Sequence, residues 1–344
     1  MGIKYLSRII KELGVVRKVN LSILTGTTIV IDCSHIIYKL WYTISLKEMK
    51  KRNILTEEIS EDDLINKFMK SLFIFIKKLY EYEIDPIFVF DGIPPQEKKD
   101  TIASRKYAKE KNMELFNNLK REYNSIQDIQ DKNKIKMEAE KKYLQSSKIP
   151  MYNLRMSIKL FLRTIGVEFY EAKEEAEKLC TKLVLNKKAD VVFSSDTDNL
   201  VLGCPILITE IRDKLVQIIY LDEVLERLNL TYDDFKFICI LSGCDYNKNI
   251  PNVSFKKIKR MFENVNYDKQ ALIQFLKEKY GEEKINNLQI NECLCILSCN
   301  SNSIEDCAEF YSLDTKINFN KLEEILDIFD IRDVITSILS PLQQ

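Results

Sequence analysis

The chain has 344 residues but only one histidine, His35. That excludes metal sites built on several imidazoles and argues against a Ser-His-Asp triad. Eight glycines leave no room for a Gly-rich phosphate loop. Neither sign of charge is in excess: lysine plus arginine and aspartate plus glutamate each number 52. Net charge therefore does not announce a polyanionic partner, and any basic surface must be local. No apolar run approaches the roughly 20 residues needed to cross a bilayer, and the amino terminus lacks a signal-peptide core. Met1-Gly2 opens a myristoylation pattern, but Leu6 stands where Ser or Thr is required. The nine cysteines include no Cys-x-x-Cys pair. They read as reduced thiols, several of them in the core, and point to a reducing intracellular compartment.

What is present is acid in unusual places. Asp32 ends the apolar, β-branched run Thr27–Ile31, and Asp91 ends Pro86–Phe90. Glu175 and Glu177 open a helical pattern over 174–186, and Asp196 and Asp198 follow a strand pattern over 189–194. Asp245 follows a helix holding Phe235, Ile238, Cys239 and Leu241. A carboxylate at the end of a buried strand is costly to desolvate unless a cation sits against it. Several converging on one point call for a bound divalent ion. Alternating strands and helices with acids at strand ends predict an α/β fold, with a mostly parallel twisted sheet, helices on both faces and the site at its carboxyl edge.

Further helices are expected over 6–13, 34–46, 61–79 and 152–164, the first and last closed by Gly14 and Gly166. Ile206–Thr209 and Val216–Tyr220 suggest a hairpin over Arg212-Asp213. From Gln96 to Lys148 there are 14 Lys/Arg against 9 Asp/Glu, with no glycine or proline and few large apolar residues. One or two long, mostly solvated helices are expected there, a lid-like insertion beyond a strand-end acid. Phe255–Phe262 reads as a helix carrying Lys256, Lys257, Lys259 and Arg260.

Taken alone, the acids suit a two-metal phosphodiesterase, whose Mg²⁺ or Mn²⁺ ions prefer oxygen ligands. An acid-rich α/β phosphatase is an open alternative. The order of the motifs adds a resemblance. MGI at the start, TIVIDCSHIIY at 28–38, PIFVFDGIPPQEK at 86–98, IGVEFYEAKEEAEKLC at 165–180, VVFSSDTDNL at 191–200 and CILSGCDYNKNI at 239–250 together resemble the flap endonuclease/XPG family of structure-specific 5′ nucleases.

The resemblance implies a single PIN-like 5′ nuclease domain over 1–344. Its parts are a nuclease region at 1–95, a helical arch at 96–148, an internal nuclease region at 149–245, and a helix-two-turn-helix-like and carboxy-terminal region at 246–344. It implies that Asp32, Asp91, Glu175, Glu177, Asp196, Asp198 and Asp245 hold two Mg²⁺ ions, with Mn²⁺ able to substitute, and it leaves Glu174 outside the set. Lys98 and Arg105, seven residues apart, correspond to the pair that clasps the scissile phosphate. Tyr38 corresponds to the aromatic that stacks on the base beside the cut, and Gly2 to the processed amino terminus. Lys256, Lys257, Lys259 and Arg260 are expected to contact duplex phosphates.

The implied activity is cleavage of 5′ flaps and single-strand/double-strand junctions, with 5′→3′ exonuclease action, in replication, repair or recombination. Exonuclease and junction-resolvase branches of the family, and a non-catalytic junction binder, stand as alternatives. Two departures stand out. The family's Gly-x-Gly-Pro hairpin reads Asn252-Val253-Ser254-Phe255, and Ser340–Gln344 carries no sliding-clamp motif. A monomer is expected, acting on branched DNA in the nucleus or at a cytoplasmic viral replication site, without membrane or clamp contact. The Ile-, Lys- and Asn-rich composition fits an AT-rich genome, cellular or of a large DNA virus.

Overall fold

The computed structural model describes residues 3, 5–146, 149–247, 250–299 and 303–311. Its strands are β1 (Arg17–Asn20), β2 (Thr28–Asp32), β3 (Asp85–Phe90), β4 (Phe169–Ala172), β5 (Val191–Phe193), β6 (Ile206–Arg212), β7 (Leu215–Tyr220) and β8 (Ala308–Tyr311). They form one sheet in the order β1-β7-β6-β5-β2-β3-β4-β8. β2 lies parallel to β3 and β5, and β5 parallel to β6, whereas β7 is antiparallel to β6 and to β1.

The sheet is thus mixed, with a parallel centre and an antiparallel edge. The expected hairpin is β6–β7, and Asp213 takes a left-handed conformation (φ 51°) at its turn. β1 and β8 were not legible. β1 is the mostly exposed tetrapeptide RKVN, whose polar pattern has no apolar alternation to announce a strand.

The first helices are α1 (Leu6–Leu13), α2 (Cys33–Lys51), α3 (Glu61–Glu81), α4 (Lys99–Ser125), α5 (Ile129–Ser146), α6 (Met151–Ile165), α7 (Ala176–Leu185) and α8 (Asp198–Val201). They are followed by α9 (Leu221–Leu228), α10 (Tyr232–Ser242), α11 (Phe255–Asn264), α12 (Lys269–Tyr280), α13 (Glu282–Asn286), α14 (Ile290–Ile296) and α15 (Ile304–Cys307). Gly14 (φ 71°) and Gly166 (φ 74°) close α1 and α6 in the left-handed region that a Cβ disfavours. No described helix is long and apolar enough to cross a membrane.

The chain forms two compact units. The first takes the described residues of Met1–His35, Tyr82–Lys98 and Tyr170–Phe310, and the second takes Ile36–Glu81 and the described residues of Lys99–Phe169.

In the first unit α7 packs on β2, β3 and β5. Leu179, Leu183, Val30, Val89 and Val192 are buried in one core, each side chain contributing roughly 1.5–3 kcal/mol when taken from water. Parallel register sets Ile31 opposite Phe88 and Phe193, so β2, β3 and β5 end at the same edge. Thr231 caps α10, accepting the Asp234 N–H at 3.2 Å. α10 and α11 then meet through Phe235–Phe255 and Phe237–Phe262, with ring centroids 6.3 and 6.0 Å apart.

In the second unit α4 and α5 pack together as a helical hairpin. The two mostly solvated helices expected over 96–148 are present, with one apolar seam between them. Phe116 and Ala139 are buried with Met49, Ile54 and Leu55, flanked by Met113, Leu119, Ile135 and Tyr143. This seam was hidden because its apolar residues are divided between two helices and completed by a third segment. Asn53 ties the same segment to the hairpin, its Nδ2 donating to the Tyr123 hydroxyl at 2.9 Å. Glu48, 1% exposed, is neutralised by Lys51, Arg52 and Lys67 at 3.1, 2.9 and 2.9 Å.

A carboxylate cluster at the sheet edge

Asp32 is the last residue of β2. One of its oxygens accepts the His35 N–H at 3.2 Å and the other the Ser194 hydroxyl at 3.0 Å. Asp91 follows β3 and reaches the start of α7, accepting the Ala176 N–H at 2.9 Å, while its second oxygen accepts the Ser34 hydroxyl. Asp91 therefore satisfies one of the backbone donors that a helix start leaves unpaired.

Glu175 occupies the cap position of α7 but does not cap it. It turns inward, one oxygen accepting the Lys98 ammonium and the other the Tyr246 hydroxyl. Asp196 accepts the Asp198 N–H at 3.1 Å, and Asp198 accepts the Ile3 N–H at 2.7 Å. Asp245 lies 3.7 Å from Lys98 Nζ.

Electrostatics binds these positions into one cluster. Burial, and then Asp91, raises the Asp32 carboxyl from the ordinary 3.8 to about 7. Burial followed by Asp196 and Asp198 raises Glu177. Burial followed by Asp196 raises Asp198, to which Asp245 also contributes. The Lys98 ammonium would be lowered by burial, but Glu177, Glu175 and Asp245 outweigh that and raise it. The structure thus brings together all seven acids singled out in the sequence, with Lys98 among them. Glu174 stays outside, its exposed carboxylate paired with Lys178 at 2.9 Å.

The donor chemistry fits a hard divalent cation. Seven carboxylates supply only oxygen ligands, and the raised Asp32, Glu177 and Asp198 mark negative charge that one lysine does not offset. Among the described residues no three His, Cys, Asp or Glu are already drawn into an ion cage. The cluster is linked by charge, not yet by coordination geometry.

Other candidates lie elsewhere. Lys98 sits in a 3₁₀ turn, Gln96–Lys98, just before α4, while Arg105 lies on α4 in the second unit. The two do not share one continuous α-helical face. Tyr38, 42% exposed on α2, has Lys109 Nζ over its ring at 5.2 Å. Gly2 lies outside the described residues.

On α11, Lys256 pairs with Glu12 at 2.6 Å, Lys259 with Glu263, and Lys257 lies over the Tyr280 ring at 5.8 Å. Arg260 shares that helix. In the altered hairpin before it, Asn252 takes φ 61°, a conformation glycine would supply and asparagine tolerates.

Sequence reasoning missed Ser34, Ser194, Tyr246 and the Ile3 N–H. Ser34, Ser194 and Tyr246 each follow or precede one acid of the set in the chain but donate to another, Asp91, Asp32 and Glu175, that lies 57, 162 and 71 residues away. Ile3 meets Asp198 only through the tertiary fold.

Gly92 directly follows Asp91. Its N–H donates to the Glu174 carbonyl at 2.6 Å, and a Cβ there would lie 2.0 Å from the Ala172 carbonyl oxygen. Gly92→Ala is expected to destabilise the protein by roughly 1–3 kcal/mol, as overpacking against backbone does. It should also shift Asp91. Thermal melting checks this; an unchanged midpoint would remove the close-approach argument.

The family model for the XPG N-terminal domain matches residues 1–112, and that for the XPG I-region matches 166–245. Flap endonuclease 1-A of Sorghum bicolor is 30% identical over 289 residues, covering 79% of this chain and 71% of its own length. Flap endonuclease 1 of Babesia bovis is 34% identical over 72% of this chain, and that of Theileria annulata 27% identical over 99%. The chain spans 35% and 66% of those two proteins' lengths.

Among solved structures, the catalytic core of Rad2 with DNA substrate aligns with a TM-score of 0.61 at 16% identity, covering 94% of this chain and 93% of that one. Flap endonuclease-1 from Methanococcus jannaschii aligns with a TM-score of 0.57 at 22% identity, covering 95% and 92%. The Holliday junction-resolving enzyme GEN1, in complex with product DNA and Mg²⁺, aligns with a TM-score of 0.58 at 16% identity, covering 94% and 72%. The fold is the α/β, PIN-like fold of those nuclease cores. The chain belongs to the flap endonuclease/XPG family.

Proposed function

We propose that this protein is a structure-specific, divalent-metal-dependent 5′ nuclease that hydrolyses DNA phosphodiesters at 5′ flaps and single-strand/double-strand junctions, with 5′→3′ exonuclease action. The observation that carries the reading is the convergence of seven carboxylates and Lys98 at the carboxyl edge of the parallel strands. GEN1, solved in complex with product DNA and Mg²⁺, supports the choice of ion. Asp32, Asp91, Glu175, Glu177, Asp196, Asp198 and Asp245 would hold two such ions. When bound, these supply an activated water and neutralise charge on the attacking and leaving oxygens.

The chain's own residues do the rest. Ser34, Ser194, Tyr246 and the Ala176 and Ile3 amides fix carboxylate orientation. Lys98 and Arg105 hold the scissile phosphate, and Tyr38 stacks on the adjacent base. Lys256, Lys257, Lys259 and Arg260 contact duplex backbone from α11. The present partners of the three lysines are surface carboxylates and a ring that phosphates can replace at little cost. The 5′ strand engages the α4–α5 hairpin. Unpairing a terminal nucleotide costs a few kcal/mol and least at a frayed end, which favours junctions over continuous duplex. We place this work in DNA replication, repair or recombination, by a monomer.

The test is cleavage of labelled 5′ flap, nicked duplex and four-way junction substrates in Mg²⁺ and in Mn²⁺. Flap cleavage is expected to lead and to fall steeply with salt, since phosphate contacts release counterions. No cleavage of any substrate in either ion would sink the reading; preferred cutting of the four-way junction would move it to the resolvase branch.

A further inference from the structure

Two of the nine thiols face each other beside the carboxylate cluster. Cys244 follows Gly243, which turns the chain at the end of α10 with φ 100°. Its Sγ lies 3.8 Å from Sγ of Cys293 on α14, 49 residues away in the sequence. Cys244 keeps 6% exposure and Cys293 none.

The approach is held by more than side-chain rotation. The Cys244 N–H donates to Asn247 Oδ1 at 3.0 Å, and Asn247 Nδ2 donates to the Ile240 and Leu288 carbonyls at 3.0 and 3.2 Å. Cys293 Sγ lies 3.6 Å from the same Leu288 carbonyl. Asn247 therefore clamps the turn carrying Cys244 to the segment leading into α14.

We propose that Cys244 and Cys293 form a dithiol oxidation site, converted by a hydroperoxide into a disulfide that displaces Asp245 and Tyr246. Cys244, which keeps some exposure where Cys293 has none, is assigned as the first thiol oxidised. Its sulfur attacks the distal peroxide oxygen, the O–O bond breaks, and water or an alcohol leaves with the thiol proton, giving a sulfenic acid. The Cys293 sulfur then attacks the Cys244 sulfur. The S–O bond breaks, and its oxygen departs as water with the Cys293 proton. Two thiols lose two electrons, and the peroxide gains them.

A disulfide requires sulfurs about 2.05 Å apart, so the turn must draw toward α14. Asp245 is the next residue, 3.7 Å from Lys98, and Tyr246 donates to Glu175. The bond would therefore act on the carboxylate cluster directly. Its consequence for cleavage rests on the proposed nuclease activity; its formation does not.

The full-length chain is treated with hydrogen peroxide, unfolded in denaturant containing N-ethylmaleimide, digested without reductant and mapped by mass spectrometry. A Cys244–Cys293 linked peptide is expected to form before any other pairing and to vanish with dithiothreitol. Flap cleavage should fall several-fold in parallel and return on reduction, while Cys293→Ala should keep its cleavage and resist peroxide. Both thiols remaining alkylatable at doses that oxidise the exposed Cys295 would overturn the site. A linked peptide with undiminished cleavage would overturn its effect on activity. Peptide mapping on the unmutated chain stands whether or not Cys293→Ala folds, and whether or not the reduced protein cuts DNA.

Discussion

Asp32→Asn should abolish cleavage, by roughly a thousandfold or more, and yet raise the melting temperature of the metal-free protein at pH 8. The first effect follows from losing one charged oxygen donor of a site that supplies several kcal/mol of transition-state stabilisation. The second follows from the cost of keeping Asp32 ionised. Burial and Asp91 raise its carboxyl from 3.8 to about 7. The folded protein therefore holds a proton that the unfolded chain releases near pH 4. Its contribution to stability declines as pH rises from about 4 to about 7, and the full penalty applies above that. At 1.36 kcal/mol per unit the penalty is on the order of 4 kcal/mol before local relaxation. Asparagine removes the charge and keeps partners for the His35 N–H and the Ser194 hydroxyl.

Melting in EDTA at pH 8 and pH 4 checks this. The variant should gain a few degrees at pH 8 and little at pH 4, and saturating Mg²⁺ should stabilise the unmutated protein more than the variant. An equal gain at both pH values would mean that packing, not charge, is responsible. Asp196→Ala serves as the parallel cleavage control, and cutting that survives in it would reject the assignment of Asp196 as a ligand.

Lys98→Ala and Arg105→Ala should each slow cleavage roughly a hundredfold or more while leaving flap binding within about threefold, the pattern for donors that act mainly on charge developing in the transition state. Lys98 is positioned for this by burial: 9% exposed and held by Glu175, it presents a charge that water does not screen. Arg105 offers a planar fork matched to two phosphate oxygens. Single-turnover cleavage and binding in Ca²⁺ separate the two effects. Equal loss in both assays would make these residues DNA clamps rather than catalytic residues.

Much of the candidate site is legible because strand-end acids violate a local rule. A carboxylate after TIVI or PIFVF contradicts the burial its neighbours demand, and such contradictions mark sites. The helix ends at Gly14 and Gly166 could be read too, since their chemistry is local. Phe116 and Ala139 could not be read as core, because the partners that bury them are on other segments. β1 could not be read because an edge strand of charged residues has no pattern to betray it.

The amino-acid sequence by itself determined which residues carry charge into the sheet edge and in what order, since strand periodicity and the acids that end it are properties of neighbouring residues. Tertiary structure alone decided that Asp91 would cap α7, that Lys98 would sit among Glu175, Glu177 and Asp245, that the Ile3 amide would meet Asp198, and that Cys244 would face Cys293. Each of these joins positions far apart in the chain. Parallel register aligns the ends of β2, β3 and β5, the close approach at Gly92 sets Asp91 against α7, and helix packing brings the thiols together; no local pattern encodes these juxtapositions.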